Sequence, residues 1–415
     1  MEEKARFAVG LDIGTSTTRA VMGAIGRDGK ISVVGYGEVP SEGLRRGIVK
    51  ELMSPPRVID TCLRAVEGMS GIEVNDATVN INGSHIGSTK VDGMIAVGVA
   101  DHEINNEDID RIADASIAGK IPANREILSL VPYEYILDGQ GGIKEPFGMH
   151  GERLELRANV ISALTPDCDN IQKACEAGNL RVRALEPSVI AAARAVITNA
   201  QKENGVGLVD MGSATTGVAI YDEGELQFAG VVPIGSNDIT NDLATVLKTI
   251  PEIAEEIKLR FASAKFGGSD KDIVIKRGRD EYRFERKEVD EVVEARLEEI
   301  FEGVRKLLKH AGYDKRLPEG LVLVGGGSKL RDIEVYARDQ VELAVRLGKP
   351  EGVLGVSEEI MKPEFAVAIG LMYADAEIQS SDSGRSLGDV LSGGKKSKSA
   401  KGGGGFFASL LKKFK

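Results

Sequence analysis

One pattern constrains this 415-residue chain more than any other, because it occurs twice. Ala8-Val9-Gly10-Leu11-Asp12-Ile13-Gly14-Thr15-Ser16-Thr17-Thr18-Arg19-Ala20-Val21-Met22 returns 198 positions later as Val206-Gly207-Leu208-Val209-Asp210-Met211-Gly212-Ser213-Ala214-Thr215-Thr216-Gly217-Val218-Ala219-Ile220. Asp12 falls on Asp210, Gly14 on Gly212, Thr15 on Ser213, and Thr17-Thr18 on Thr215-Thr216. Each copy reads as strand, tight turn, strand: an apolar run, an Asp-x-Gly-[Thr/Ser] turn, then small and β-branched residues. A single turn of this kind only reverses the chain. Two in matching register predict an internally duplicated α/β fold with the hairpins facing each other across a cleft.

Glycine lets a ligand approach the backbone, and the N–H groups and hydroxyls that follow converge in the turn. A pair of such turns suits a polyphosphate. Asp12 and Asp210 would face its negative charge only with a bridging Mg²⁺, held through water. A duplication kept for packing alone is the plainer alternative.

An apolar fraction of 42% and a charged fraction of 28% are those of an ordinary globular chain, long enough for several cores. A formal charge of −11 speaks against a broad nucleic-acid-binding surface. Cys62, Cys168 and Cys175 form no CxxC pair, and their odd number without a signal peptide suits a reducing cytoplasm and a core-filling role. The four histidines show no metal-ligand spacing, and no apolar run approaches the length of a membrane-spanning helix.

Along the chain, Ile31–Gly37 reads as a third strand, and Pro55-Pro56 opens a helix to about Gly68. Strand Ala77–Asn82 ends at Gly83. A compact α+β insertion follows: a strand Gly93–Val99, a helix Asn106–Ala118, strands Ile127–Val131 and Tyr133–Leu137, and a strand Leu154–Ile161. A helix Asp169–Ala177 returns to the first half. Two Pro-opened helices, at Pro187 and Pro363, carry small residues at i, i+4: Ala191/Ala195 and Ala366/Gly370/Ala374. Such stripes allow a close crossing, which suits a hinge between halves.

In the second half, Gly235–Thr240 is a turn into a helix, and a helix around Ala254–Leu259 follows. Next come a charged β-rich piece at Asp272–Phe284 and a long helix Lys287–His310. Leu321–Val324 is a buried-type strand running into Gly325-Gly326-Gly327-Ser328, a turn whose bare backbone could lie against a nucleoside. From Gln379 to Gly405 the composition shifts to Ser, Gly and Lys, as in a flexible tether. In the last ten residues Phe406, Phe407, Leu410, Leu411 and Phe414 share one sector of a helical wheel, with Ser409, Lys412, Lys413 and Lys415 filling the rest. That segment is too short to span a bilayer and suits the interface of an anionic membrane. Docking on the protein's own core is the alternative.

The order of these parts resembles the actin superfamily, a duplicated ribonuclease-H-like, two-lobed ATP-binding fold. The resemblance implies that Asp12, Gly14, Thr15, Ser16 and Thr17 form a first phosphate motif, and that Asp210, Gly212, Ser213, Thr215 and Gly235 serve the second. Gly325, Gly326, Gly327 and Ser328 look like the adenosine motif, Glu255 and Lys258 fall where relatives contact the ribose, and Glu186 falls where relatives orient the attacking water. Glu186, Asp12 and Asp210 are then the catalytic set, Asp12 and Asp210 the water-mediated Mg²⁺ ligands, and ATP with Mg²⁺ the cofactor. The implied hydrolysis is slow, with no metabolic substrate.

Within that superfamily the stretch from Ile127-Leu128-Ser129-Leu130-Val131-Pro132 through Gly148-Met149-His150-Gly151-Glu152-Arg153-Leu154 is similar to that of the FtsA family of bacterial cell-division proteins. Pro233–Asp242 is similar too, except that Ser236 stands where the family has a second Gly. The resemblance implies subdomain 1A at 1–84 and 164–204, an inserted subdomain 1C at 85–163, 2A at 205–230 and 314–378, and 2B at 231–313. A linker at 379–405 and a membrane-targeting helix at 406–415 complete the chain. It further implies head-to-tail polymerisation and recruitment of later divisome proteins. The implied location is the inner face of the cytoplasmic membrane at the septum. The lobe with Arg286 and Arg296 would receive the FtsZ C-terminal peptide, although a solvated charged helix face explains those arginines equally well. A small-molecule (sugar or acid) kinase of the same superfold is the rival reading, and an actin-like pilus-assembly scaffold a nearer one. The insertion, tether and tail favour the cell-division reading over both.

Overall fold

The computed structural model describes residues 6–98, 102–267, 271–355 and 358–383. The first copy of the repeat forms β1 (Arg6–Ile13) and β2 (Thr17–Ile25), and the chain continues into β3 (Ile31–Pro40). A short ribbon, β4 (Leu44–Arg45) and β5 (Ile48–Val49), precedes α1 (Pro55–Ser70) and β6 (Asp76–Ile81). The insertion comprises β7 (Gly87–Ala96), α2 (Asn106–Ile117), β8 (Arg125–Leu137), β9 (Gln140–Ile143) and β10 (Arg153–Leu164). The first lobe closes with α3 (Thr165–Ala177), β11 (Arg181–Pro187), α4 (Ser188–Val196) and α5 (Asn199–Asn204).

The second copy forms β12 (Val206–Met211) and β13 (Thr216–Asp222), followed by β14 (Glu225–Val232). A mixed segment holds α6 (Ser236–Val246), α7 (Pro251–Arg260), β15 (Ile273–Arg277), β16 (Asp280–Phe284) and α8 (Arg286–Ala311). The chain then returns through β17 (Leu321–Val324), a 3-10 turn at Gly326–Lys329, α9 (Ile333–Val341) and β18 (Val345–Leu347). A second 3-10 turn, Pro363–Phe365, leads into α10 (Ala366–Ser383).

The duplication is visible in the sheets. The first runs β3-β2-β1-β6-β11 and the second β14-β13-β12-β17-β18. In each, three antiparallel strands are followed by two parallel ones. Crossing the middle are α4 and α10, whose small residues permit close contact, and they share one apolar core with the first sheet and the inner face of the second. A second core fills the other face of the second sheet around Phe301 and Leu297 of α8. The insertion has its own core around Leu130, Leu154, Leu156 and Ile112. Among the described residues the buried apolar side chains thus form three clusters, the first of which joins the two halves. The three cysteines are buried, and desolvation pushes each thiol up to about 12, as suits packing rather than redox chemistry.

Several local expectations change. β8 is one strand through Pro132 rather than two, because the register shifts there: Arg157 pairs with Glu134 and Ala158 with Pro132. The irregularity accommodates a residue with no N–H to give to the ladder. β7 starts at Gly87, ahead of the expected Gly93, and its edge position on the order β7-β10-β8-β9 leaves alternate residues exposed and its apolar signature weak. Pro187 ends β11 and caps α4 from outside. α10 runs on to Ser383, past the composition change at Gln379, because Gln379 Nε2 donates to Phe7 O (2.8 Å) and Asp375 Oδ2 (2.9 Å). The tail residues Phe406, Phe407, Leu410, Leu411, Lys412, Lys413 and Phe414 lie outside the described residues.

Candidate nucleotide cleft

Each repeat places its Asp at the end of a buried central strand and its Gly at the first turn position. A Cβ on Gly14 would stand 2.6 Å from Thr17 O, and one on Gly212 would stand 2.9 Å from Thr215 O, so neither turn admits a larger residue. The turns open on a common cavity of about 360 Å³ between the lobes. Its phosphate-sized end is lined by Asp12, Gly14, Thr15, Ser16 and Thr17 from one side and Asp210, Gly212, Ser213 and Thr215 from the other. Thr15 Oγ1 accepts from Gly47 N (2.9 Å) and Thr215 Oγ1 from Asn82 Nδ2 (3.1 Å), so each hydroxyl keeps its own hydrogen to donate.

The two carboxylates are buried together, Asp12 8% and Asp210 7% exposed. Burial raises Asp12 to about 7, against the lowering effect of Arg19, and Asp210 raises it further. Burial likewise raises Asp210 to about 6, again opposed by Arg19. Arg19 is no contact partner for either: its NH2 bonds Glu38 Oε1 at 2.8 Å. Two desolvated, mutually repelling carboxylates fit a divalent cation, which would neutralise both. Among the described residues no cluster of three or more His, Cys, Asp or Glu could hold a metal by itself, so water or ligand oxygens must complete any shell.

Gly325 packs on Asp210, since a Cβ there would lie 2.4 Å from Asp210 Oδ1. Gly326 meets nothing within 4 Å, which leaves its backbone bare toward the cavity. Beyond it the cavity turns apolar, with Ile239, Leu259, Leu297, Ile300 and Leu330 on its wall. Lys258 and Glu255 line the same end: Lys258 Nζ lies 2.7 Å from Glu255 Oε2 and 2.9 Å from Thr240 Oγ1. A charged, glycine-lined end joined to an apolar end is the shape a nucleoside polyphosphate requires.

Three expected residues do not line the cavity. Ser328 is fully buried, its Oγ donating to Gly325 O (2.7 Å), so it closes the glycine turn. Gly235 supports the second turn from behind, where a Cβ would meet Ala214 N and Ser213 C at 2.5 Å. Glu186 is engaged elsewhere: Arg194, two turns along α4, donates from Nε to Glu186 Oε1 at 2.8 Å and from NH1 to Glu377 Oε2 at 2.6 Å. A buried arginine recruits carboxylates more strongly than an open cleft does, and this one takes Glu186.

Other lining residues were not among the expected site residues: Arg19, Asn82, Ser188, Ser236, Asn237, Lys329 and Glu364. Asn80 sits just beneath. Its Nδ2 donates to Asp12 Oδ1 (2.8 Å) and Ser188 Oγ (3.0 Å), and its Oδ1 accepts from Ile13 N (2.7 Å). A buried asparagine in the otherwise apolar end of strand β6, Asn80, is the one sequence clue to this arrangement.

Arg286 and Arg296 both lie on α8 and neither lines the cleft, although Leu297 and Ile300 of the same helix do. Arg286 Nε pairs with Asp290 Oδ1 at 3.0 Å. Arg296 Nε donates to Asp242 Oδ2 of α6 at 2.7 Å, and its NH1 bonds Glu299 Oε2 at 2.6 Å. Each is therefore part of a local ion-pair brace. Among the described residues no helix is long and apolar enough to cross a membrane.

Comparison with known proteins bears on the whole chain. Residues 207–370 match the family model "Cell division protein FtsA", and residues 83–162 match "SHS2 domain inserted in FTSA". The chain is 36% identical to the cell division protein FtsA of Pseudomonas aeruginosa, over 91% of each chain. It is 34% identical to that of Neisseria meningitidis serogroup B, over 99% of this chain and 98% of the relative. Among solved structures it is similar to a PilM–PilN type IV pilus biogenesis complex, with TM-score 0.65, 18% identity, and coverage of 89% of this chain and 98% of that one. It is also similar to MreB5 of Spiroplasma citri bound to ADP, with TM-score 0.56, 13% identity, and coverage of 91% and 98%. The fold is actin-like, with the SHS2 insertion in its first half.

Proposed function

The chain belongs to the FtsA family of cell-division proteins, and from that premise we propose that it is an ATP-binding, polymerising tether. It would hold FtsZ filaments on the inner face of the cytoplasmic membrane and help recruit later divisome proteins. The observation that carries the reading is the cleft itself: Asp12 and Asp210, buried and facing each other between two glycine turns. Solved MreB5 structures, of similar fold, are bound to ADP and to AMPPNP, which supports nucleotide as the occupant here.

When bound, Mg²⁺ would supply the positive charge that lets two carboxylates and a polyphosphate share one site. Asp12 and Asp210 would hold it through water, while Thr15 and Thr215 donate their hydroxyl hydrogens to phosphate oxygens. Gly326 would admit the nucleoside against bare backbone, and Lys258 with Glu255 would meet the ribose. With Glu186 committed to Arg194, no strong base faces the cleft from that position, in keeping with slow turnover. The nucleotide then acts as a switch on lobe closure and polymerisation rather than as fuel for chemistry.

The FtsZ peptide would dock on the lobe of α8, and the 406–415 segment would lie in the membrane interface. One short amphipathic tail binds weakly, so a filament presenting many of them gains by avidity. Co-sedimentation with anionic vesicles, with and without Mg²⁺-ATP, tests the reading. FtsZ should pellet with vesicles only when this protein is present, and more when ATP is supplied. FtsZ left in the supernatant under all conditions would refute the tether.

A further inference from the structure

The two halves share a topology but treat their carboxylates differently. In the first sheet, β1 and β6 run in register with Gly10 beside Thr78 and Leu11 beside Val79, which brings Asp12 beside Asn80. In the second, Asp210 lies beside Val324. Across the other edge, Asp12 is opposite Arg19, whereas Asp210 is opposite Gly217. The polar cross-strand neighbours, Asn80 and Arg19, thus belong to the first lobe, and those of Asp210 are apolar or glycine.

Asn80 is 2% exposed and uses both ends of its amide. It receives the Ile13 N–H and gives its own N–H groups to Asp12 Oδ1 and Ser188 Oγ. One side chain therefore ties together the end of β1, the strand β6 and the first residue of α4. Asp12 keeps Oδ2 without a protein hydrogen bond among the described residues, and Asp210 keeps both oxygens so.

We propose that Asn80 is a positioning residue for the cation of the cleft: it presets the Asp12 carboxylate on the first lobe, so that Mg²⁺ with its nucleotide is received there, and Asp210, which accepts no protein hydrogen bond among the described residues, engages as the second lobe closes. A carboxylate held at one oxygen cannot rotate away from the cation's water shell, and loss of such an outer partner weakens metal binding by about 10- to 100-fold in other sites. The inference rests on the nucleotide reading of the cleft and adds a division of labour between its halves.

The test replaces Asn80 by the residue that the second half uses, Asn80→Val. Mn²⁺ is titrated into full-length protein with saturating AMPPNP and followed by electron paramagnetic resonance. AMPPNP affinity is measured separately in EDTA. The expected result is an apparent Mn²⁺ dissociation constant raised about 10-fold or more, with affinity in EDTA unchanged. An unchanged Mn²⁺ constant would overturn the proposal, as would an equal loss with and without metal, which marks a purely structural role. If Asn80→Val does not fold, Ser188→Ala is read the same way: it frees the amide from one support and should raise the Mn²⁺ constant while affinity in EDTA holds, and a flat response overturns the proposal. Wild-type protein that binds no AMPPNP at all would instead remove the nucleotide reading beneath it.

Discussion

Gly370 of α10 lies so close to Ala191 of α4 that a Cβ on it would stand 1.7 Å from the Ala191 carbonyl oxygen. The contact joins the two small-residue helices that cross at the middle of the molecule. It could be anticipated from the i, i+4 stripes of small residues, because helices without bulky side chains can approach backbone to backbone. Gly370→Ala should therefore lower unfolding stability by about 1–3 kcal/mol through overpacking. Urea denaturation of the variant checks this, and an unchanged midpoint would mean that the helices separate easily.

Glu186 gives the sharpest revision. Its carboxylate partners Arg194, whose side chain is 12% exposed, and the pair sits behind α4 with Glu377. Glu186→Ala strips a buried cation of one of two partners, so it should cost about 3 kcal/mol of stability. Nucleotide affinity should change little. Thermal unfolding alongside nucleotide titration separates the effects; a large loss of affinity with full stability would return Glu186 to the cleft.

The arginines of α8 test partner binding. Arg296→Glu breaks a brace to Asp242 and Glu299 that is partly exposed, at a cost of about 1 kcal/mol or less. If the lobe receives the acidic-apolar FtsZ tail, this variant and Arg286→Glu should weaken the labelled peptide in fluorescence anisotropy and leave nucleotide binding alone. Unchanged peptide affinity in both would place the docking surface elsewhere.

The proposed function places membrane attachment at residues 406–415. Removing them, or pairing Phe407→Glu with Leu411→Glu, should release the protein from anionic vesicles in sedimentation while the thermal shift with nucleotide survives. A truncated chain that pellets as well as the full one would contradict the anchor.

What was legible in the chain follows from how the signals are written. The repeat fixed both turns, since Asp-x-Gly-[Thr/Ser] is local and a shift of one residue would destroy the match. Gly325-Gly326-Gly327 was legible for the same reason. Asn80, Asn82 and Glu364 were not, because their role depends on strand order and on a neighbour far along the chain, such as Asp12 for Asn80. Glu186 misled because position along the chain does not reveal a competing arginine eight residues on. Pro132 misled because only the pairing of β8 with β10 shows the register shift that absorbs it. The insertion was legible as an α+β piece from its strand and helix patterns, and only its family came from resemblance.

The central claim is that the cleft between the duplicated turns takes Mg²⁺-nucleotide. Isothermal titration of ATP into the wild-type protein and Gly212→Val, each with Mg²⁺ and with EDTA, tests it most directly. A Cβ already meets Thr215 O at 2.9 Å, so valine must push the turn into the phosphate space. The account predicts Mg²⁺-dependent binding by the wild type and none by Gly212→Val. Full binding by a folded Gly212→Val, or wild-type binding indifferent to Mg²⁺, would contradict it.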